Sequence, residues 1–373
     1  MAGHACIVER KPYTGLRVQE TAHTLVDADW TLPAWPVFGV QPDVRTALEQ
    51  AMAAGRPAVL ATLHTHDGAA PLGEGAQILF DGGAVAGFLS GGCVEGDVAL
   101  HAQSVLADGA SRWLVYGRGG PPDIQLLCGS RIEVLLERIA PDDEAARRLL
   151  TLTDKRRAAL WLSDGRVRAC LAEGESAPAL PDALQAAMGW ASDHPSISGA
   201  TADALYRRYT PRRRLVVVGG DPITLAIAKL ASEAGFETAL VRPKGPSVPP
   251  PLAGVRYFRG EPGEAFAALG LDAFTAVAIA THDIDIDHAA LCSVLPSAAG
   301  YVGALGSRRR LPERIARLEA AGLSPEAIAR LNAPIGLSIG ARSPWEVAVS
   351  VVAEVIQSLK AQDALRAWPK AAA

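Results

Sequence analysis

The first half of the chain carries its hydrophobic residues in short runs that polar and glycine-rich turns separate. Short apolar runs bounded by turn residues are typical of β-strands, and apolar residues three and four apart are typical of helices. By these rules we predict strands at 57–63, 76–80, 84–89, 112–117 and 131–139 and helices at 43–54 and 94–107. Residues 158–172 resemble a hairpin that turns at Asp164-Gly165. Residues 141–155 and 174–204 are polar or rich in Ala, Pro and Ser, and we expect connecting helices and loops there.

After about residue 210 the hydrophobic pattern changes. Continuous apolar runs alternate with helical segments, which is typical of a parallel sheet that helices cover on both faces. We predict strands at 215–220, 236–241, 273–280 and 300–306, and helices at 222–235 and 344–362. The predicted fold class is α/β, with an N-terminal α+β domain followed by a Rossmann-like domain that contains a parallel sheet. The predicted division is an extension at 1–42, a first domain with a connecting region at 43–210, and the Rossmann-like domain at 211–373.

Composition and charge narrow the class of protein. A chain of 373 residues with 49% hydrophobic residues and a net charge of −4 can fill two cores and has no basic excess for nucleic-acid binding. Arginines cluster at 207–214 and 308–310, and each cluster is better explained as a solvated boundary than as a polyanion groove. The five cysteines include no C-x-x-C pair, which argues against disulfides and zinc knuckles and favours a reducing cytoplasm. No apolar run approaches the length of a membrane span, so we expect no membrane insertion.

The segment FLSGGCVEGDV, which begins at Phe88, places a cysteine at a glycine-rich turn. Phe88 and Leu89 are predicted to end a strand, and the apolar residues after Cys93 follow a helical spacing, so Cys93 should lie at a helix start. The free N–H groups there favour a thiolate, the form of cysteine that attacks and binds metals. The carboxylates of Glu95 and Asp97 act in the opposite direction. A small cysteine that only packs in a core is the alternative interpretation, and both stay open.

The segment VVVGGDPITLA stands where a dinucleotide-binding fingerprint would follow the first strand of the second domain. Gly219 and Gly220 are present, but the pattern G-x-G-x-x-G needs small residues where this chain has Asp221 and Thr224. A carboxylate at this place would face the pyrophosphate. Arg242 follows the next strand, where an acidic residue would hold a ribose. Ordinary NAD binding is therefore disfavoured, although Arg242 could meet a phosphate.

A polar cluster follows a later strand of the same predicted sheet. Thr281, His282 and Asp283 come directly after the strand predicted at 273–280. The carboxyl ends of parallel strands are where α/β folds place ligands. A ligand-binding role and a helix-capping role are both consistent with this position.

Several segments together carry a resemblance to a known family. They are LHTHDGAAPLGEGAQ, FLSGGCVEGDV, LVYGRGGPPDIQLLCG, VVVGGDP, IATHDIDID, YVGALGSRRR and NAPIGLSIGARSPWEVAVSVVAEVI. In this order they resemble the XdhC/CoxI family of xanthine dehydrogenase accessory proteins, over about residues 43–360. The resemblance implies a chaperone that binds molybdenum cofactor (molybdopterin) as cargo. It further implies that the protein aids sulfuration of the cofactor with a cysteine desulfurase and its insertion into a xanthine dehydrogenase or CO dehydrogenase-type molybdenum hydroxylase, and that it is a cytoplasmic homodimer.

The resemblance also implies site residues. The candidate cofactor-binding residues are Ser90, Gly91, Gly92, Cys93, Glu95, Cys128, Gly129, Gly219, Gly220, Arg242, His282 and Asp283. Cys93 is the candidate reactive thiolate and molybdenum ligand, because a soft thiolate suits molybdenum, and glycine N–H groups can cradle the pterin phosphate. If the two cysteine segments converge, Cys93 and Cys128 share one pocket.

The chain departs from the family pattern at several places. The family's G-A-G-H segment is replaced by Gly219-Gly220-Asp221-Pro222, and its acidic residues after the second strand are replaced by a segment that contains Arg242. Whether the Rossmann-like domain binds any nucleotide is therefore open.

Two classes of function remain. The first is a cofactor carrier and insertion factor without turnover of its own, and the second is an NAD(P)-dependent or thiol-dependent oxidoreductase that uses the Rossmann-like domain. We favour the carrier, because the fingerprint is incomplete and a dehydrogenase would not explain the SGGC segment.

Overall fold

The structure is a computed structural model that describes residues 32–68, 72–120, 126, 129–175, 179–194 and 198–363. Within these ranges the strands form three sheets, and the side chains of residues 361–363 are not described. Most of the predicted extension at 1–42 lies outside the described residues, as does Cys128.

The first sheet is antiparallel and has the strand order β3-β2-β1-β5-β4. Its strands are β1 (Ala58–Asp67), β2 (Gln77–Phe80), β3 (Val85–Gly87), β4 (Arg112–Gly117) and β5 (Arg131–Ile139). Side chains alternate between its two faces, so that Val59 packs on one face and Leu60 on the other. Helix α2 (Glu95–Asp108) covers the first face, and helix α1 (Arg45–Ala53) covers the second.

The second sheet is also antiparallel and has the order β7-β6-β9-β8. Its elements are α3 (Glu144–Asp154), β6 (Ala159–Ser163), β7 (Arg168–Ala172), α4 (Asp182–Asp193), β8 (Ser198–Ala200) and β9 (Leu205–Tyr209). Trp161 of β6 lies in the same core as Leu60 of β1, whereas Leu160 packs against α4. The first two sheets therefore share one hydrophobic core.

The third sheet is parallel throughout and has the order β12-β11-β10-β13-β14-β15. Its strands are β10 (Arg214–Val218), β11 (Glu237–Val241), β12 (Val255–Phe258), β13 (Thr275–Ile279), β14 (Tyr301–Ala304) and β15 (Leu331–Asn332). Counted from β10, this is the order 3-2-1-4-5-6 of a dinucleotide-binding fold. From β10 the chain adds β11 and β12 on one side of the sheet, and from β13 it adds β14 and β15 on the other side. The strand order therefore reverses between β10 and β13.

Helices cover both faces of this sheet, as the continuous apolar strands predict. They are α5 (Pro222–Glu233), α6 (Pro262–Leu269), α7 (Ile284–Val294), α8 (Leu311–Ala320), α9 (Pro325–Ile328) and α10 (Pro344–Asp363). Helices α5 and α10 pack on one face, and α6, α7 and α8 pack on the other. The predicted fold class is confirmed. None of the helices in the described part of the chain has the length and apolar character of a membrane span.

Some predicted elements need correction. Residues 205–209 form a strand that we did not predict, and Arg208 within it is buried, with its guanidinium donating to the His194 carbonyl oxygen at 3.0 Å. Arg214 is likewise a buried residue of β10, so the arginine cluster at 207–214 is not simply a solvated boundary. The hairpin at 158–172 is present, but its turn is centred one residue later than predicted, because the Asp164 N–H donates to the Val167 carbonyl oxygen at 3.2 Å.

The parallel sheet meets the rest of the described chain at its amino edge. Arg156, in the loop after α3, donates to Glu237 at 2.6 Å and to Asp272 at 2.7 Å, at the starts of β11 and β13. Gln41 donates to the Glu233 carbonyl oxygen at the end of α5, at 2.9 Å. The carboxyl edge of the sheet, where α/β folds bind ligands, lies about 16 Å away, the length of a five-residue strand. The boundary between the predicted domains stays a prediction.

Candidate functional site

The loop between β3 and α2, residues 88–94 and here called the Cys93 loop, folds around a buried carboxylate. Glu95, the first residue of α2, is 1% exposed. Its carboxylate accepts hydrogen bonds from the N–H groups of Leu89 (3.1 Å), Ser90 (2.7 Å) and Gly92 (3.0 Å), and from the Ser90 hydroxyl (2.8 Å). Burial acts to raise the pKa of Glu95, but these hydrogen bonds together outweigh burial and lower it. Glu95 is therefore ionised at neutral pH and fixes the shape of the loop.

Glycines make this tight loop possible. Gly91 and Gly92 have φ angles of 100° and 97°, which residues with a Cβ adopt only with strain. A Cβ on Gly87 would lie 2.2 Å from the Gln77 carbonyl oxygen. Strand β3 ends at Gly87, earlier than predicted, and Leu89 is instead buried in the core beneath the loop.

Cys93 itself is exposed to solvent. Its N–H donates to the Ser90 hydroxyl at 3.2 Å, and it precedes Val94, the N-cap residue of α2. The backbone at Cys93 is thus held by the loop, whereas the side chain faces outward and can be reached by a ligand. This exposure excludes the alternative interpretation of Cys93 as a small residue that packs in a core.

A second polar group lies one helical turn beyond Cys93. Asp97 accepts a hydrogen bond from the Tyr116 hydroxyl at 2.6 Å, and His101 Nε2 lies 3.5 Å from the same carboxylate oxygen. Burial and the bond to Asp97 raise the pKa of Tyr116, so its hydroxyl stays protonated. This bond ties the start of α2 to the end of β4. The sequence analysis missed Tyr116, although a tyrosine within an apolar strand signals a hydroxyl that needs a partner.

The second predicted cysteine segment reaches the same part of the molecule. Gly129 has a φ of 70°, and its N–H donates to the Leu126 carbonyl oxygen at 2.8 Å. Leu126 packs in the same core as Leu89 and Val94. The flanks of the two segments therefore converge. Cys128 lies outside the described residues, so its sharing of a pocket with Cys93 stays a prediction.

These parts form one edge of the first sheet, here called the Cys93 edge. It comprises the Cys93 loop, the start of α2, the end of β4 at Tyr116 and Gly117, and the start of β5 after Gly129. Strand β4 runs antiparallel to β5, with Gly117 opposite Arg131, so the end of one and the start of the other lie at this edge. The sequence places an exposed cysteine, an aspartate and a histidine there.

N–H groups of the Cys93 loop that are predicted to bind phosphate already have hydrogen-bond partners within the protein. Gly92 donates its N–H to Glu95, and Cys93 donates its N–H to Ser90. The anion that the loop binds in this structure is thus its own carboxylate. Phosphate binding by these glycines stays a prediction, and it would require Gly92 to exchange its hydrogen-bond partner.

The other predicted site residues lie at the carboxyl edge of the parallel sheet, in a crevice between β10 and β13 here called the switch crevice. A Cβ on Gly219 would lie 2.5 Å from the Ala280 carbonyl oxygen, so glycine is required for the close approach of the two strands. Asp221 caps α5 and accepts hydrogen bonds from the Thr224 N–H (2.7 Å) and hydroxyl (2.6 Å). Burial acts to raise the pKa of Asp221, but these bonds and the nearby His282 together lower it.

Two charged side chains lie beside the fingerprint glycines. A Cβ on Gly220 would lie 2.4 Å from Arg242 Nε, so Arg242 packs directly on this glycine. On the other side, Asp221 presents its carboxylate to His282, whose Nε2 lies 3.0 Å from Asp221 Oδ2. The Asp221 carboxylate opposes the pyrophosphate of a dinucleotide by its charge, whereas the exposed Arg242 guanidinium could pair with a phosphate.

Asp283 has a structural role as well. It is the N-cap of α7 and accepts hydrogen bonds from the N–H groups of Asp285 (2.9 Å) and Ile286 (3.1 Å). His282 is 78% exposed at its side chain and remains accessible to a ligand. The structure thus brings Gly219, Gly220, Arg242 and His282 together in the switch crevice. This crevice is separate from the Cys93 edge.

The described residues of the two sites do not form a preformed metal centre of several ligands. Among the described residues, no group of three or more His, Cys, Asp or Glu side chains has the arrangement of a metal site. The role of Cys93 as a molybdenum ligand, alone or together with Cys128, stays a prediction.

Comparison with known proteins gives consistent similarities. The family model described as the XdhC and CoxI family matches residues 51–117, and the model described as the XdhC Rossmann domain matches residues 215–355. The first match contains the Cys93 loop, and the second contains the switch crevice.

Two curated relatives and one solved structure are similar along most of the chain. The molybdenum cofactor insertion chaperone PaoD of Escherichia coli (strain K12) is 29% identical over 318 residues, covering 84% of this chain and 88% of PaoD. A protein of Bacillus subtilis (strain 168) that is named as a probable xanthine dehydrogenase subunit is 29% identical over 336 residues, covering 84% of this chain and 97% of that protein. A crystal structure of a xanthine dehydrogenase from Bacillus halodurans aligns with a TM-score of 0.67 and 26% identity, covering 85% of this chain and 96% of the other.

Proposed function

The chain belongs to the XdhC and CoxI family, and from this we propose that it acts in the maturation of a molybdenum enzyme, by binding molybdenum cofactor and aiding its insertion. The relative named as an insertion chaperone covers both the Cys93 edge and the parallel sheet. The relatives named as xanthine dehydrogenase proteins support an enzyme of that type as the recipient.

The observation that carries the proposal is the exposed Cys93 on a loop whose backbone is hydrogen-bonded to Glu95. A soft sulfur ligand suits molybdenum, and a carrier needs a ligand that its recipient can reach. The Cys93 loop meets both needs, because Glu95 holds the backbone while the thiol faces solvent. Cys93 would hold the molybdenum of the cofactor through its sulfur, and Cys128 would add a second sulfur if the two cysteine segments share a pocket.

Finer parts of the proposal rest on the family alone. They are the sulfuration of the cofactor with a cysteine desulfurase, the service of a CO dehydrogenase-type hydroxylase, the homodimer and the cytoplasmic location. We also propose that the described chain divides near residue 210 into a cofactor-binding domain and a Rossmann-like domain.

The alternative function, an oxidoreductase, has less support. In the switch crevice, the Asp221 carboxylate stands where the fingerprint has a glycine and would repel a pyrophosphate. For a thiol-dependent enzyme a histidine beside the cysteine would be expected. Within the described chain it is Cys292, on α7, that has such a neighbour, with His288 Nε2 at 3.6 Å from its Sγ.

Delivery of cofactor to a recipient enzyme tests the function. Cofactor-loaded protein is mixed with a cofactor-free molybdenum hydroxylase over a range of ratios, in the presence of excess competing apoprotein that traps free cofactor. A carrier activates the hydroxylase in proportion to its amount, with a plateau once the two proteins are equimolar. Activation of many equivalents would indicate a catalytic maturation enzyme, and no gain over free cofactor would contradict the proposal.

A further inference from the structure

A cleft of about 430 Å³ opens at the carboxyl edge of the parallel sheet, between α7 and α8. This α7–α8 cleft lies beside the switch crevice and is lined on one side by Ser307, Arg310, Glu313 and Arg314. Its volume is within the range of pockets for small organic ligands, which is about 300–1,000 Å³. His282 of the switch crevice lies on the other side, and it is the one lining residue of the described chain that belongs to the predicted cofactor-binding set.

The cations of the cleft differ in how they are held. Arg314 donates to Asp287 at 2.9 Å and to the Leu305 carbonyl oxygen at 3.2 Å, so its position is fixed by protein partners. Arg317 donates to Asp285 at 3.0 Å. Arg310 is exposed and has no ion-pair partner within the described part of the chain.

The groups around these arginines suit a phosphate ester. The Ser307 hydroxyl lies in the lining as a hydrogen-bond donor, and Ile284 and Leu305 give the cleft apolar walls. Guanidinium groups bind phosphate through paired N–H donors, and a nearby fixed guanidinium strengthens such a contact. Two carboxylates also line the cleft: Asp287 is paired with Arg314, whereas the carboxylate of Glu313 repels an anion there.

The cleft is separate from the Cys93 edge in the fold. The first two sheets contact the parallel sheet at its amino edge, through Arg156 and Gln41. The cleft lies at the opposite edge, beyond the ends of β13 and β14. A strand length of about 16 Å separates the two edges.

We propose that the α7–α8 cleft binds the phosphate of a small nucleotide, with Arg310 as the ion-pairing cation and Arg314 as a fixed second donor, independently of the cargo at the Cys93 edge. That the Cys93 edge carries molybdenum cofactor rests on the proposed function, whereas the phosphate site is inferred from the cleft itself. In this arrangement the incomplete fingerprint in the switch crevice is not the nucleotide site of the Rossmann-like domain.

Isothermal titration calorimetry of the full chain with AMP, CMP and inorganic phosphate tests the site. Arg310→Ala should weaken nucleotide binding about tenfold, the loss of one charge-assisted contact. Arg309→Ala is the matched control, because Arg309 belongs to the same short 3-10 turn but does not line the cleft, and it should change affinity less than about twofold. Glu313→Gln should strengthen binding. Equal losses in the two arginine variants, or no measurable binding of any probe, would overturn the proposal.

Two further arms separate this proposal from the function of the chain as a cofactor carrier. Cys93→Ala should bind AMP as the parent does, whatever its effect on molybdenum cofactor. Protein loaded with the cofactor should also keep its AMP affinity. Displacement of AMP by the cofactor would show that the cleft holds the cofactor's own phosphate, which would overturn the independence of the two sites.

Discussion

Replacement of Glu95 by alanine removes the carboxylate around which the Cys93 loop folds. Four backbone N–H groups, those of Leu89, Ser90, Gly92 and Val94, and the Ser90 hydroxyl donate to this carboxylate at 2.7–3.3 Å. Without Glu95, the Val94 N–H keeps the Ser90 hydroxyl oxygen as an acceptor at 3.2 Å. In Glu95→Ala the N–H groups of Leu89 and Ser90 are buried without an acceptor, whereas Gly92 is exposed and can turn to water. We expect a less stable N-terminal part of the chain and a Cys93 loop that no longer has one conformation.

The magnitude follows from the two buried N–H groups. A buried donor left without its partner costs about 1–3 kcal/mol, so the two together cost about 2–6 kcal/mol. Loss of a negative charge from the first turn of α2 adds about 0.3–1 kcal/mol. Glu95→Gln should lower the free energy of unfolding by about 1–2 kcal/mol. Its amide oxygen can replace one carboxylate oxygen as an acceptor, but its NH₂ group is itself a donor and cannot accept the hydrogen bonds that the other oxygen accepts.

Urea unfolding followed by circular dichroism measures these changes, and hydrogen exchange of residues 88–95 locates them. Glu144→Ala is a matched control, because Glu144 is also the first residue of a helix but is exposed. It should cost less than about 1 kcal/mol. If Glu95→Ala and Glu144→Ala lower the free energy of unfolding equally, or if exchange at 88–95 is unchanged in Glu95→Ala, the loop is not organised by Glu95.

The remaining predictions concern pH and nucleotide binding. Because the folded state lowers the pKa of Glu95, its contribution to stability is complete above the ordinary value of 4.5 and is lost as the pH falls through the lowered value. Hydrogen exchange at residues 88–95 should therefore lose protection in acid in the parent but not in Glu95→Gln. Equal loss of protection in both proteins would contradict this. NAD should bind with a dissociation constant weaker than about 1 mM, a free energy of about −4 kcal/mol, because the Asp221 carboxylate at the fingerprint position repels the pyrophosphate. Micromolar NAD affinity in a calorimetric titration would refute this and favour the oxidoreductase.

Hydrophobic periodicity predicted most of the regular elements, and the exceptions have physical reasons. Strand β9 carries Arg207 and Arg208 in its centre, which gives it a polar appearance in the sequence. The Arg208 guanidinium donates to the His194 carbonyl oxygen, and the Arg207 guanidinium lies over the Tyr209 ring at 5.0 Å. Strand β12, Val255–Phe258, is a short edge strand after a proline-rich turn, and it buries none of its residues fully. Neither kind of strand shows the apolar run that marks a strand in a core.

The candidate site could be predicted in part. The sequence predicted a helix start near Cys93 and an incomplete dinucleotide-binding fingerprint. Both predictions depend on residues that are close together in the chain. The role of Glu95 could not be predicted, because a glutamate beside a cysteine suggests a nearby charge, whereas the fold turns it inward to bind the loop amides. The bond from Tyr116 to Asp97 and the α7–α8 cleft join residues far apart in sequence, and only the packed structure brings them together.

The central claim is that the exposed thiol of Cys93 holds molybdenum cofactor, and molybdenum retention tests it most directly. Parent, Cys93→Ala and the control Cys292→Ala are loaded with cofactor, freed of excess by gel filtration, and measured for bound molybdenum and pterin, with circular dichroism as a check of folding. We expect Cys93→Ala to fold as the parent does and to retain about tenfold less molybdenum or lower still, while Cys292→Ala retains the parent amount. Equal retention by folded Cys93→Ala and the parent would contradict the account.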